Sequence, residues 1–281
     1  MLRNRLDLLV ATPGRLMDHM EQGKVDFSRL EILVLDEADR MLDMGFIDAV
    51  KDIAAAIPRD RQTLLFSATL EGRVLKIADQ LLKRPQSIAL VTNHDRHRSI
   101  RQHMHHADSK AHKHKLLAHH LENGQLTKTL IFTSTKRGAD QLAKTLRSMD
   151  HKSAALHGDM SQNKRRQTVE NLRKGRVEML VATDVAARGL DIKDISHVIN
   201  FDLPMVAEDY IHRIGRTGRA GATGCAISLV GSADWQKLSQ IEKLTGRKIN
   251  REVIEGLEPT SSEPKIEHGA KTNPKFKIGR A

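Results

Sequence analysis

The sequence predicts an α/β protein built on parallel sheets and divided into two domains. Three observations carry that expectation. Short apolar runs alternate with stretches of helical period along most of the 281-residue chain. Several runs stop abruptly on acidic or hydroxyl residues, as Leu33-Val34-Leu35 does on Asp36-Glu37-Ala38-Asp39. A His-rich polar stretch from Asn93 to Ala111 interrupts the alternation, which then starts again.

In the first half, Leu6 to Ala11 reads as a strand, Thr12-Pro13-Gly14-Arg15 as a turn and Leu16 to Met20 as a helix. Gly14 lets backbone approach a ligand, and Arg15 at the helix start can contact phosphate; a plain turn is the simpler reading. Ile32 to Leu35 reads as a buried strand whose carboxylates stand at the carboxyl edge of the sheet. Open α/β sheets bind ligands at that edge. An Asp there can hold Mg²⁺ and a neighbouring Glu can orient a water; a helix cap or a solvated strand end uses the same residues. A helix over Ile47 to Ile57, a buried strand over Thr63 to Phe66 ending in Ser67-Ala68-Thr69, and a strand over Ser87 to Val91 follow.

In the second half, strands are expected at Thr129 to Phe132, Ser153 to Leu156, Glu178 to Ala182, Ser196 to Phe201 and Cys225 to Val230. Helices are expected from Gly138 to Met149, from Ser161 to Leu172 and from Trp235 to Leu244. This spacing implies right-handed βαβ units. Beyond Glu258 the composition is that of a disordered tail.

The net charge of +11 and pI near 9.8 favour a polyanionic partner, nucleic acid first. The single cysteine, Cys225, sits in an apolar pattern and reads as a core thiol. No disulfide framework is possible, which suits a reducing, cytoplasmic compartment. No apolar run approaches the ~20 residues of a membrane span. Asp7 and Pro13-Gly14 break up the start too early for a signal peptide.

Nine of the fifteen histidines fall between His94 and His120. A metal site drawn from His103, His105, His106, His112, His114, His119 and His120 is one reading. No cysteine lies nearby and the spacings match no standard zinc pattern, so a solvated, weakly basic surface is the expectation.

Tyr210 to Gly221 reads YIHRIGRTGRAG, with Arg213, Arg216 and Arg219 at every third position and Gly215, Gly218 and Gly221 among them. Glycine permits tight backbone paths, and arginine matches phosphate oxygens with a forked, always-charged donor set. Such spacing can aim two guanidinium groups at one triphosphate; a general nucleic-acid patch is the alternative.

Six motifs occur in order: TPGR at 12–15, DEAD at 36–39, SAT at 67–69, IFT at 131–133, ATDVAARGLDI at 182–192 and HRIGRTGR at 212–219. Together they resemble the DEAD-box ATP-dependent RNA helicases of bacterial type, from the first residues to about Glu258. The resemblance implies two RecA-like parallel-sheet domains, the first incomplete, with ATP and Mg²⁺ between them and RNA across both. It implies that Asp36 coordinates Mg²⁺ and that Glu37 positions or deprotonates the attacking water. Arg216 and Arg219 would reach the terminal phosphates, and Asp191, with Gly189 beside it, the ribose. Asp39, Ser67, Thr69 and His212 would couple the nucleotide to domain closure. Gly14, Arg15, Lys136, Gly158, Gln162, Arg165 and Thr183 would grip the RNA backbone, reading shape and the 2′-hydroxyl rather than base sequence.

The expected domains are 1–92, a linker at 93–108 with some extended structure, the second domain at 109–258 and a basic, disordered tail at 259–281. The family's phosphate loop, GxxxxGK(S/T), occurs nowhere in the 281 residues. The chain therefore reads as an N-terminally truncated form, with one sheet edge open and residues 1–92 weakly stable alone. An RNA-binding fragment without turnover is the second functional reading, and a DNA-directed helicase of the same superfamily a weaker third. Ribosome assembly and other ribonucleoprotein work use this same core, so the motifs do not select the RNA target.

Overall fold

The computed structural model describes residues 6–68, 70, 72–88, 100–123, 126–188, 190, 192, 194–218 and 223–264. The chain divides into two compact units, Met1–Leu90 and Val91–Ala281.

The first unit runs α1 (Pro13–Glu21), β1 (Ile32–Leu35), α2 (Ala38–Asp43), α3 (Ile47–Ala56), β2 (Gln62–Leu65) and α4 (Arg73–Leu81). Pro13 sits where a helix tolerates it best, in the first turn of α1. Among the described residues β1 and β2 pair only with each other, in parallel, Leu35 opposite Leu65. A small cluster of Leu42, Val74 and Ile77, with Ile47, Leu65 and Leu81 against it, forms the core of this sheet and α2 and α4. The expectation that β1 is buried fails: Ile32 and Val34 are exposed, and only Leu35 is buried. A continuous apolar run is buried throughout only where both faces are covered, and here one face is open. Ser87 and Ile88 lie outside any strand and Ile88 is exposed; residues 89–91 of that expected strand lie outside the described residues.

The second unit runs β3 (Ile100–Ala107), α5 (Lys110–Asn123), β4 (Thr129–Phe132), α6 (Lys136–Ser148), β5 (Ser153–Leu156), α7 (Gln162–Arg173), β6 (Met179–Ala182), α8 (Asp184–Ala187), β7 (His197–Asn200), α9 (Ala207–Ile214), β8 (Gly224–Gly231), α10 (Trp235–Thr245) and β9 (Asn250–Arg251). Its seven strands order β5-β6-β4-β7-β8-β3-β9, all parallel. Successive residues alternate between the faces. Ile131, Val181, Ile199 and Ile227 meet Leu116, Leu117 and Leu121 of α5 and Leu142 and Leu146 of α6. On the other face, Leu130, Leu180 and Val198 meet Leu172 of α7 and Ala186 of α8, and Ala226 and Val230 meet Tyr210, Trp235 and Leu238. Helices on both faces explain why β4 and β6 are buried at every position. Each fully buried Leu or Ile contributes roughly 1.5–3 kcal/mol, and the second unit holds most of them.

The expected linker at 93–108 is corrected by β3. Residues 93–99 lie outside the described residues, but Ile100–Ala107 is a full strand paired with β8 from Ile100↔Gly224 to Ala107↔Gly231. Histidines at alternate positions concealed its period. His103 is 3% exposed and His105 2%, so the expected solvated surface fails at both. The expected disordered tail is corrected at its start. The Asp108 carboxylate accepts from the amides of Thr260 and Ser261 (2.7 and 3.0 Å) and from their hydroxyls (3.0 and 2.6 Å), so this part of the tail is pinned to the end of β3. Residues 265–281 lie outside the described residues.

Candidate functional site

In the first unit, β1 ends and the chain turns sharply into α2 through Glu37, whose φ of 52° and ψ of 50° are left-handed. Non-glycine residues rarely hold that conformation, and it concentrates at functional sites. The Glu37 amide donates to Asp36 Oδ1 at 2.9 Å, and the Glu37 carboxylate pairs with Arg40 at 2.5 Å. Asp36 and Glu37 are exposed carboxylates at the carboxyl edge of the sheet, the chemistry that suits a hard divalent cation and its waters.

Asp39 is 4% exposed and faces the tip of β2. Its Oδ2 accepts from the Ala68 amide at 3.1 Å, and its own amide donates to Ser67 Oγ at 3.3 Å. The Ala38 amide donates to Phe66 O at 3.0 Å. The DEAD and SAT segments are thus one hydrogen-bonded unit. Thr69 lies outside the described residues. Gly14 and Arg15 occupy the first turn of α1, where a Cβ on Gly14 would come no closer than 3.9 Å to any neighbour, the Phe46 ring. Arg15 is exposed, 3.5 Å from Asp18.

In the second unit, the expected RNA-gripping residues gather at the carboxyl ends of three adjacent strands, β5, β6 and β4. Lys136 opens α6 after β4 and pairs with Asp159, and its stem passes 3.7 Å from where a Cβ on Gly158 would stand, after β5. Thr183 follows β6 as the N-cap of α8, its amide bonded to Leu156 O at 3.2 Å. Arg165 of α7 donates to Ala186 O at 3.2 Å, which holds its stem against α8. Gln162, one turn earlier, is exposed. Two longer helices start at this edge with side-chain caps, α6 on Thr135 and α7 on Ser161. Helix starts and cations together make an edge suited to phosphates.

Two of the three arginines of YIHRIGRTGRAG, Arg213 and Arg216, are described, and they separate in role. Arg213 is 2% exposed and binds inward. It grips the Asp184 carboxylate with Nε and Nη2 (2.6 and 2.7 Å), and Nη1 reaches Asn200 Oδ1 and Asp202 O (3.0 and 2.7 Å). Its guanidinium also lies over the Phe132 ring, 4.7 Å from the centroid. Arg216 is half-buried and donates to His212 O and Leu190 O (3.3 and 3.2 Å). His212 lies on the last turn of α9, partly buried. Gly189, Asp191 and Arg219 lie outside the described residues. The glycines have identifiable reasons: Gly218 has φ +65°, and a Cβ on Gly224 would stand 2.6 Å from the Gly218 amide.

The inward grip of Arg213 on Asp184 was not foreseen from the sequence. The available signal was an Asp directly after a strand, the same pattern that drew attention to Asp36.

Comparison with known proteins agrees with these motifs. Residues 1–77 match the family model described as DEAD/DEAH box helicase, and residues 112–221 match Helicase conserved C-terminal domain. The structure of S. cerevisiae Dbp5 bound to RNA and ADP BeF3 is 34% identical, with TM-score 0.78 over 90% of this chain and 67% of that one. The chain belongs to the DEAD-box RNA helicase family. ATP-dependent RNA helicase SrmB of Haemophilus influenzae is 45% identical over 92% of this chain and 59% of its own length. A crystallised E. coli SrmB chain, bound to regulator of ribonuclease activity A, is 42% identical, with 97% of it covered and a TM-score of 0.57. The chain thus spans about three fifths of the first of these full-length DEAD-box relatives. Its parallel-sheet α/β units are RecA-like, as expected. Among the described residues, no helix is long and apolar enough to cross a membrane.

Proposed function

We propose that this chain is the greater part of a machine that couples ATP binding and hydrolysis to local unwinding of RNA duplexes. Asp36 would hold Mg²⁺, directly or through water, and Glu37 would position or deprotonate the water that attacks the terminal phosphate. Arg216 and Arg219 neutralise charge on the transferring group, a contribution of ~10³–10⁵ in rate for arginines so placed. Gly189 and Asp191 take the ribose. Asp39, Ser67, Thr69 and His212 link the occupied nucleotide site to closure. Lys136, Gly158, Gln162, Arg165 and Thr183, with Gly14 and Arg15, hold the RNA backbone, in a cytoplasmic ribonucleoprotein such as a ribosome-assembly particle.

The observation that carries this reading is the gathering of Lys136, Gly158, Arg165 and Thr183 at one edge of β5-β6-β4. A salt titration of RNA binding by fluorescence anisotropy tests it. Lys136→Ala with Arg165→Ala should weaken binding of a single strand and flatten the log–log salt slope by about 0.7 for each lost phosphate contact. An unchanged slope and affinity would refute the assignment. RNA should also be preferred over DNA of the same sequence.

A second reading is favoured by the second unit's seven-stranded sheet with helices on both faces: RNA held without turnover. On that reading the 281-residue chain binds RNA independently of ATP and releases no phosphate. RNA-stimulated phosphate release that Glu37→Gln abolishes would exclude it.

A further inference from the structure

Three histidines outside this machinery converge between β3 and α5. His103 and His105, two residues apart on β3, leave the same face of the sheet. His120, in the last turn of α5, meets them there. One ring nitrogen from each lies within 4.8 Å of the others, and the ring centroids are 4.8 to 5.9 Å apart.

Their hydrogen bonds settle one tautomer. His105 Nδ1 is 2.8 Å from the carbonyl of Glu252, which can only accept. Nδ1 therefore carries the proton and Nε2 keeps a lone pair. That Nε2 lies 2.8 Å from Nε2 of His120. His103 Nδ1 is buried with no hydrogen-bond partner among the described residues. Its Nε2 is 3.6 Å from the Glu252 carboxylate. Burial pushes His103 down to about 4 and His120 to about 3, with neighbouring histidines adding to the effect. Burial lowers His105 as well. The neutral imidazole, which burial favours, is the form that ligates metal.

We propose that His103, His105 and His120 form a binding site for a divalent d-block cation such as zinc, with the Glu252 carboxylate closing the fourth position. Tetrahedral zinc with Zn–N of ~2.0–2.1 Å sets its ligand nitrogens about 3.3 Å apart. The spacings here, from 2.8 Å to at most 4.8 Å, bracket that figure. The bond from His105 to the Glu252 carbonyl is the support that orients ligating histidines in metal sites. A cation here clamps α5 and the segment after β9 onto β3. The ligands come as H-x-H on a strand and a single histidine on the next helix, without cysteine, so no standard zinc spacing announces them.

The test uses the full 281-residue chain, untagged and stripped with a chelator. Cobalt(II) titration should saturate at one equivalent with the visible bands of four-coordinate cobalt, displaced by one equivalent of zinc. His103→Gln and His120→Ala should each weaken binding at least about tenfold, while His151→Ala leaves it unchanged. His120→Cys should retain binding and add a thiolate-to-cobalt charge-transfer band, a gain that misfolding cannot mimic. Zinc should raise the unfolding temperature of the unaltered chain, reversibly with chelator. Absence of the cobalt bands in the folded chain, or bands that persist in His103→Gln and His120→Ala, would overturn the proposal.

Discussion

Arg213→Ala tests whether the basic segment is anchored from inside the second unit. The guanidinium is 2% exposed and makes four hydrogen bonds, two to Asp184 and one each to Asn200 Oδ1 and Asp202 O. Truncation strands a carboxylate whose side chain is only 23% exposed. Breaking a buried ion pair from one side costs about 3–5 kcal/mol. The two other acceptors lose a charged donor, at about 1 kcal/mol or more each, and movement of Asp184 toward water offsets part of this. The expected loss is about 4 kcal/mol. With a urea slope of about 2 kcal/mol per M, the midpoint of the second unit falls by about 2 M. Arg213→Lys, which keeps the charge but not the fork, should recover only part of it. A double-mutant cycle with Asp184→Asn should return a coupling above about 1 kcal/mol. A midpoint shift below about 0.5 M at unchanged slope would refute the reasoning.

Other outcomes follow from single contacts. Gly224→Ala places a Cβ 2.6 Å from the Gly218 amide, and thermal unfolding should report a loss of about 1–3 kcal/mol. Asp39→Ala strands the Ala68 amide, and hydrogen exchange there should quicken by roughly tenfold or more, equivalent to about 1.4 kcal/mol or above; unchanged exchange would disprove the link between the two motifs. Glu37→Gly relieves a left-handed backbone while losing the Arg40 pair, so stability of the first unit should change by less than about 1 kcal/mol. Bonds from the Ser261 hydroxyl and the Thr260 amide hold the Asp108 carboxyl well below the usual carboxylate range. This contact is fully formed above that range and is lost as pH falls through the lowered value, and Asp108→Asn should release it at any pH, read as faster exchange at Thr260 and Ser261.

Most helices and strands were legible because their apolar period is unbroken. Ser153–Leu156 and Thr129–Phe132 match their expected bounds residue for residue. β3 was not legible: a strand reveals itself by apolar side chains, and this one carries His103, His105 and His106 where Val or Ile would be expected. Imidazoles can be buried only when partners from distant sequence meet them, and here those come from α5 and from Glu252. In the same way, local spacing suggested an anion-binding role for Arg213, Arg216 and Arg219, but not that Arg213 turns inward.

The linear order of motifs was enough to specify the family, because each motif sets particular side chains at a strand end whatever surrounds them. Only the folded chain could assign Arg213 to Asp184, bury the histidines of β3 and leave Ile32 and Val34 facing solvent. Each of these depends on what lies across the sheet, and burial is a property of neighbours that no stretch of chain carries alone.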